Sequence, residues 1–271
     1  MIDRRPTVTM PGESLAWSDP AVQWGLGIFE TIAVRDGEPR FVDEHLARLT
    51  SSATHLSIPL PEKKELEKAL RQLAKKIETG HGWLKLLVSR SGPWTAFGGP
   101  SDPKDENRAV SAVLLSGRRH RLDPLANMKT LSSAATTLGL EEARRLGADE
   151  GIWLNDRGHV MEACTGNVFV LKGRRVTTPA LSDGALPGIT RARAMQTLKA
   201  MGYTVAEGKV RVDALRDAKE VFLTSSLSGV RPVVRLDGRD IGNGKPGSCA
   251  ARLGDKLTKV PRIATVAKGD R

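Results

Sequence analysis

The chain has 271 residues, 39% of them apolar and 27% charged, and its 42 basic and 31 acidic side chains leave a net charge of +11. This is the composition of a folded globular protein large enough for two domains. No apolar run approaches the roughly 20 residues that span a bilayer, no apolar signal core opens the chain, and the two cysteines, Cys164 and Cys249, make no disulfide framework. A cytoplasmic protein with no membrane partner and no metal is expected.

The basic excess suits an anionic small substrate or a solvated basic surface. Its two clusters, "GRRHR" (117–121) and "KGRR" (172–175), read as loops, and aromatics make up only 4% of the chain. None of the aromatics interleaves with the clusters as a base-stacking platform would, so no nucleic-acid partner is expected.

In chain order, "GIFETIAVRDGEPRFV" (27–42) predicts a hairpin about Asp36-Gly37. Asp43 is placed to cap the next helix, "DEHLARLTSSATHL" (43–56), in which Leu46, Leu49, Ala53 and Leu56 recur at helical spacing. A second amphipathic helix covers 61–80 and stops at Gly80. "GWLKLLVSRSG" (82–92) and "RAVSAVLLSG" (108–117) read as strands, and the Gly-, Pro- and acid-rich 92–107 between them reads as a long loop. "RHRLDPLANM" (119–128) connects to a helix over about 130–146.

"GHVMEACTGNVFV" (158–170) predicts two strands folded about Thr165-Gly166-Asn167. Alternation then puts Val160, Glu162 and Cys164 on one face, read as buried, an unusual place for a carboxylate. "LPGITRARAMQTLKAMG" (186–202) is a helix stopped by Gly202, and 219–238 holds strands around a serine-rich turn. The tail after Lys259 reads as frayed. Strands and helices mix without strict alternation, which indicates an α/β or mixed α+β protein. The division is an N-terminal domain over 1–116, a connector over 117–127 and a C-terminal domain over 128–271, with a cleft between the domains.

Four features carry chemistry. Lys129, in "LANMKTLSS", precedes a predicted helix whose positive end would lower its pKa and free a nucleophilic amine. The plainer reading is an exposed lysine. In "LPGITR", Gly188 bares the backbone where Ile189 and Thr190 start a helix, an anion site or an ordinary turn. "TSSLSG" (224–229) offers the hydroxyls and amides of Ser225 and Ser226 as a second wall. Arg48 lies beside the apolar stripe of its helix and could reach a buried anion.

These stretches resemble one family. "GLGIFETIAVRDGEPRFVDEHLARL", "MKTL", "GADEGIWLNDRGHVMEACTGNVFV", "TTPALSDGALPGITR" and "EVFLTSSLSGVRPV" stand in the order seen in class IV (fold type IV) pyridoxal-phosphate (PLP) enzymes. These are the branched-chain aminotransferases, D-amino-acid aminotransferases and 4-amino-4-deoxychorismate lyases, and the resemblance runs from about Ser14 to Pro246. It implies pyridoxal 5'-phosphate at the interface of two domains, a homodimer, and a small, carboxylated amine substrate. It also implies that Lys129 binds the cofactor covalently and moves the proton. Glu162 then pairs with the pyridine nitrogen, which explains a carboxylate on that face. Arg48, Ile189, Thr190 and Ser226, with Ser225 beside it, match phosphate positions, and Asn167 shapes the site from its turn.

For activity, "GWLKLLVSRSG" and "LTSSLSGVRPV" resemble the lyase forms, with Lys85 and Arg90 as candidate carboxylate binders and Trp24 and Thr31 as further substrate contacts. Five residues apart, Lys85 and Arg90 fall on opposite strand faces unless a bend intervenes. Leu26 stands where the family has an acid, Trp24 where it has Tyr or Phe, and no Gly-Arg-Gly segment follows Arg90. The expected activity is 4-amino-4-deoxychorismate lyase, a step of folate biosynthesis. The alternative is an aminotransferase of D- or branched-chain amino acids, and more remotely a non-catalytic basic binding protein.

Overall fold

The computed structural model describes residues 6–10 and 15–259. The first part of the chain runs β1 (Val8–Thr9), α1 (Pro20–Trp24), β2 (Gly27–Arg35), β3 (Glu38–Pro39), α2 (Val42–Leu56), α3 (Lys63–Lys75), β4 (Gly82–Ser89) and β5 (Trp94–Pro100). Then come β6 (Val110–Arg119), α4 (Ala134–Arg145), β7 (Glu150–Asn155), β8 (Val160–Ala163), β9 (Asn167–Lys172) and β10 (Arg175–Pro179). Last are α5 (Ile189–Ala200), β11 (Thr204–Gly208), α6 (Val212–Arg216), β12 (Glu220–Ser225), β13 (Gly229–Leu236), β14 (Arg239–Asp240) and α7 (Ser248–Thr258). The tail beyond Lys259, read as frayed, lies outside the described residues. No helix among the described residues is long and apolar enough to cross a membrane.

Two sheets organise the chain. The first is antiparallel, in the order β1-β5-β4-β2-β3. Ile28, Ile32 and Val34 of β2 and Leu84, Leu86 and Val88 of β4 form one buried face, and α2 and α3 cover it with Leu46, Leu49, Leu66, Leu70 and Leu73. The alternation of β2 and the helical spacing of α3 are therefore one fact seen from two sides. The β2–β3 turn falls on Asp36 (φ 53) and Gly37 (φ 70), as its left-handed-tolerant residues require.

The second sheet is mixed, in the order β11-β10-β9-β12-β13-β6-β7-β8, with β14 paired to β13. Phe169 of β9 and Phe222 of β12 stack at 5.2 Å beneath α5 and α7, which bring Ala194, Leu198 and Leu253 to the same cluster. The other face of these strands buries Val168, Val170, Val221 and Leu223.

Several expectations need correction. Residues 92–107 are not one loop, because β5 occupies Trp94–Pro100 and pairs with both β4 and β1. Its glycines mark a close approach, since a Cβ on Gly98 would strike the Trp83 carbonyl oxygen. Strand β6, read with the first half of the chain, hydrogen-bonds between β13 and β7 in the second sheet. It also runs on through Arg119, so the basic cluster there is partly strand. Asp43 does not cap α2, which begins at Val42 behind a left-handed Phe41, and α4 begins at Ala134 rather than near 130.

β8 and β9 are not a paired hairpin. β8 bonds to β7 while β9 bonds to β10 and β12, and only a tight turn joins them, with the Ala163 N–H donating to the Gly166 carbonyl. A register shift opposite Trp153 and Leu154 also breaks the alternation of β8. Val160 therefore packs with Ala163 in one cluster, while Met161 and Cys164 pack with Trp153 in another.

Candidate active site

Lys129 is tied back to the first sheet after the chain has left β6 of the second. Its carbonyl accepts the Phe29 N–H at 2.9 Å, Leu131 N–H donates to the Gly27 carbonyl at 2.9 Å, and Thr130 bridges Ile28. The Lys129 Nζ lies 4.4 Å from the centre of the Phe29 ring, and so does the Nζ of Lys85. Lys85 stands opposite Thr31 in the β2–β4 ladder. Phe29, Thr31 and Lys85 thus share the sheet face opposite the one that Ile28 and Ile32 bury against α2.

Burial pulls the pKa of Lys129 down to about 8, helped by the charges of Arg48 and Lys85 and opposed by those of Glu30 and Glu162. The expected direction is found, but the cause is burial and neighbouring cations. A helix end plays no part, because α4 starts only at Ala134. Burial also lowers the pKa of Lys85.

Glu162 is supplied from the second sheet. Its Oε2 accepts the Leu186 N–H at 2.9 Å, and its Oε1 lies 3.5 Å from Arg119 Nη1. Arg119 rests 4.6 Å over the Trp153 ring and donates to Thr136 Oγ1 at 2.9 Å. Burial pushes the Glu162 pKa up, and the Leu186 N–H with Arg119, Lys129 and Arg48 only partly offsets it. The sequence reading missed Arg119 by assigning "GRRHR" to a loop.

A third cluster was read only at Arg48; its partners Glu30 and His45 were missed. Arg48 donates to both oxygens of Glu30, from Nε at 2.8 Å and Nη2 at 2.6 Å, and His45 Nδ1 donates to Glu30 Oε2 at 2.7 Å. Burial would raise the Glu30 pKa, but these Arg48 and His45 bonds outweigh it and hold the carboxyl at about 2. The signal was available, since Glu30 sits between Ile28 and Ile32 on the buried face of an alternating strand.

From this cluster the site crosses to the second sheet. Arg48 Nη1 donates to the Pro187 carbonyl at 3.1 Å, and His45 Nε2 lies 3.4 Å from Ser226 Oγ. Gly188 precedes α5 with no side-chain cap, so the first N–H groups of the helix, on Ile189 and Thr190, have no carbonyl of an earlier turn to bond. Asn167 Nδ2 donates to the Leu186 carbonyl at 2.8 Å, and a Cβ on Gly188 would collide with Asn167 Oδ1. Asn167 therefore fixes the loop that presents those amides. Ser225 Oγ accepts the Ser228 N–H at 3.2 Å and braces the serine turn.

Two expected substrate contacts lie elsewhere. Arg90 is exposed on the turn after β4 and donates to the Leu56 carbonyl at 2.5 Å, so it does not join Lys85. Trp24 is 64% exposed at the end of α1. Its contact with the Lys129 segment is through the backbone: the Ser132 hydroxyl donates to the Trp24 carbonyl at 3.5 Å and to the Gly25 carbonyl at 3.2 Å.

The residues fit a phosphorylated pyridine aldehyde. A lysine of lowered pKa supplies the amine, Glu162 a carboxylate for a ring cation, and the bared start of α5 with Ser226 and Arg48 an anion cradle. Among the described residues, no group of three or more His, Cys, Asp or Glu side chains could hold a metal ion.

The comparisons with known proteins agree. Residues 27–236 match the profile of the family described as amino-transferase class IV. D-alanine aminotransferase of Bacillus licheniformis is 32% identical over 246 residues, covering 84% of this chain and 85% of that protein. A hypothetical aminotransferase of Mycobacterium tuberculosis in PLP-bound form superposes with TM-score 0.83 at 28% identity, over 93% of this chain and 96% of that one. A Legionella pneumophila protein provisionally assigned as 4-amino-4-deoxychorismate lyase superposes with TM-score 0.83 at 28% identity, over 91% of this chain and 95% of that one. With the fold and the family profile in agreement over most of its length, the chain belongs to the class IV aminotransferases, the fold type IV enzymes that work with pyridoxal 5'-phosphate.

Proposed function

We propose that the enzyme transfers the amino group of a small amino acid whose carboxylate pairs with Lys85. One observation carries this reading: two ammonium groups, on Lys129 and Lys85, each lie 4.4 Å from the centre of the same Phe29 ring. Lys129 has the lowered pKa of a proton-moving amine. Lys85 is partly buried, and among the described residues no acid lies within ion-pair distance of it, so it is available to a substrate carboxylate.

Bound PLP supplies an electrophilic aldehyde and an electron-accepting ring. Glu162 holds the proton on the ring nitrogen, where its carboxylate gains the cationic partner that its surroundings only partly provide. Arg48, Ile189, Thr190, Ser225 and Ser226 hold the phosphate end. Lys129, once free, would take the proton from the amine-bearing carbon and return it to the carbon on the far side of the amine nitrogen. Transamination is preferred over lyase chemistry because aminodeoxychorismate carries two carboxylates, and Arg90, the second cation expected for it, faces away.

The lyase is the second reading. It is favoured by Lys85 within "GWLKLLVSRSG" and by the Legionella neighbour. Separate incubation of the holoenzyme with D-alanine, L-leucine and aminodeoxychorismate decides between the two. A spectral shift to the pyridoxamine form with either amino acid supports transfer. Pyruvate with 4-aminobenzoate, from the last only, supports the lyase, and no reaction with any of the three counts against both.

A homodimer belongs to the same proposal. Trp17 (89% exposed), Val22 (46%) and Trp24 (64%) leave an apolar surface in and just before α1, suited to a second copy of the chain. A fully active monomer in sedimentation would contradict it.

A further inference from the structure

Arg48 does not meet an incoming phosphate as a free charge. Two of its nitrogens bind Glu30, so the pair is neutral overall, and its Nη1 is on the Pro187 carbonyl. Beside the α5 amides, a phosphate carrying one to two negative charges would therefore gain from an uncompensated cation, and His45 stands where one could be. His45 is fully buried, bonded to Glu30 Oε2 through Nδ1 and 3.4 Å from Ser226 Oγ through Nε2. Glu30 from β2 and Arg48 from the next turn of α2 are the charged groups bonded in this cluster, and Ser226 faces it from the turn after β12.

The direction of the His45–Ser226 bond decides what the serine can do. Glu30 is an acceptor, so Nδ1 carries a proton. If the ring is neutral, Nε2 accepts, and Ser226 must spend its single hydroxyl proton on the histidine. If the ring is an imidazolium, Nε2 donates, and the hydroxyl proton of Ser226 is free for the phosphate.

We propose that His45 is a positioning residue of the phosphate site: held as an imidazolium between Glu30 and Ser226, it supplies the missing positive charge and turns the Ser226 hydroxyl toward the phosphate. This rests on the PLP reading of the site.

The test titrates apoenzyme with PLP and, separately, with pyridoxal, which lacks the phosphate, following ring absorbance. His45→Leu is expected to weaken PLP roughly 10- to 100-fold, the range for a hydrogen bond to a charged group, and to leave pyridoxal nearly unchanged. His45→Gln, which restores a donor toward Ser226, recovers part of the loss. Ser226→Ala weakens PLP similarly, and adding it to His45→Leu costs little more. Because His45→Leu could fail to fold, the wild-type holoenzyme is also labelled with 15N at histidine, where both His45 ring nitrogens should read as protonated. An unprotonated Nε2, equal losses for PLP and pyridoxal, or additive effects of the two substitutions would overturn the proposal. If the wild type binds PLP no better than pyridoxal, the phosphate-site reading itself fails.

Discussion

Glu30 and Glu162 are two acids drawn from water at the same site, and their pKa values move in opposite directions. Glu30 meets three donors within 2.8 Å, two from Arg48 and one from His45. Glu162 meets one N–H at 2.9 Å and a guanidinium at 3.5 Å. Burial raises both pKa values, but only at Glu30 do the partners win, holding it at about 2, while that of Glu162 stays raised. In the closed cluster the acid is fully satisfied by protein donors. The open one leaves a carboxylate and two lysines short of partners among the described residues, and incomplete satisfaction of buried charged groups marks where a ligand belongs.

The sharpest way to break this contrast is at the open cluster. Lys129→Ala should lose covalent PLP and at least about 10³-fold in turnover, since it removes both the proposed attachment point and the proposed proton carrier. Borohydride reduction should place label on residue 129 of the wild type and none on the variant. Retained steady-state turnover would refute the assignment.

At the closed cluster the effect should fall on stability. Glu30→Gln leaves Arg48 and His45 without their anion, and breaking a buried pair in this way costs about 3–5 kcal/mol. The sign with pH follows from the lowered pKa. Glu30 contributes stability that is fully present above its ordinary value of 4.5 and is lost as pH falls toward about 2. Denaturant midpoints across that window should fall steeply in the wild type and less steeply in Glu30→Gln. Parallel curves would show that the cluster is not what acid titrates.

Glu162→Gln should act more weakly. PLP still binds, through Lys129 and the anion cradle, but proton abstraction slows by roughly 10²-fold, at the low end of the range for positioned proton-transfer groups. Stopped-flow spectra with a slowly reacting amino acid would measure it, and an unchanged rate would remove the pairing of Glu162 with the ring nitrogen.

The sequence made the open cluster legible and, Arg48 apart, hid the closed one. Lys129, Glu162 and the start of α5 lie in short stretches that carry the family resemblance. The β2–β3 turn and the body of α3 were legible from local rules, because Asp36-Gly37 and a 3.6-residue period leave few alternatives, although α3 ends at Lys75 and not at Gly80. Arg119 was lost because β6 shifts register between Leu114 and Arg118, which carries a polar sequence through a strand that no period-2 pattern announces. β5 was lost because its glycines serve close strand contact, which composition alone does not separate from a loop. His45 offered no local signal, since its partners lie 15 and 181 residues away in sequence. Glu30 could have been found by the alternation test that singled out Glu162.

The smallest expected effects separate Lys85 from Arg90, which the sequence had paired. Lys85 shares the Phe29 face with Lys129, so Lys85→Met should raise KM for a carboxylated amine about tenfold, the worth of one charge-assisted hydrogen bond at its low end. It should change kcat little and leave KM for an amine without a carboxylate where it was. Arg90 only satisfies the Leu56 carbonyl at an exposed turn, so Arg90→Ala should move neither constant and should shift stability by no more than about 0.5 kcal/mol. If Arg90→Ala instead raises KM as much as Lys85→Met does, the turn after β4 must fold over the cleft during turnover. A dicarboxylate substrate, and with it the lyase, would then regain the second cation that the present geometry denies it.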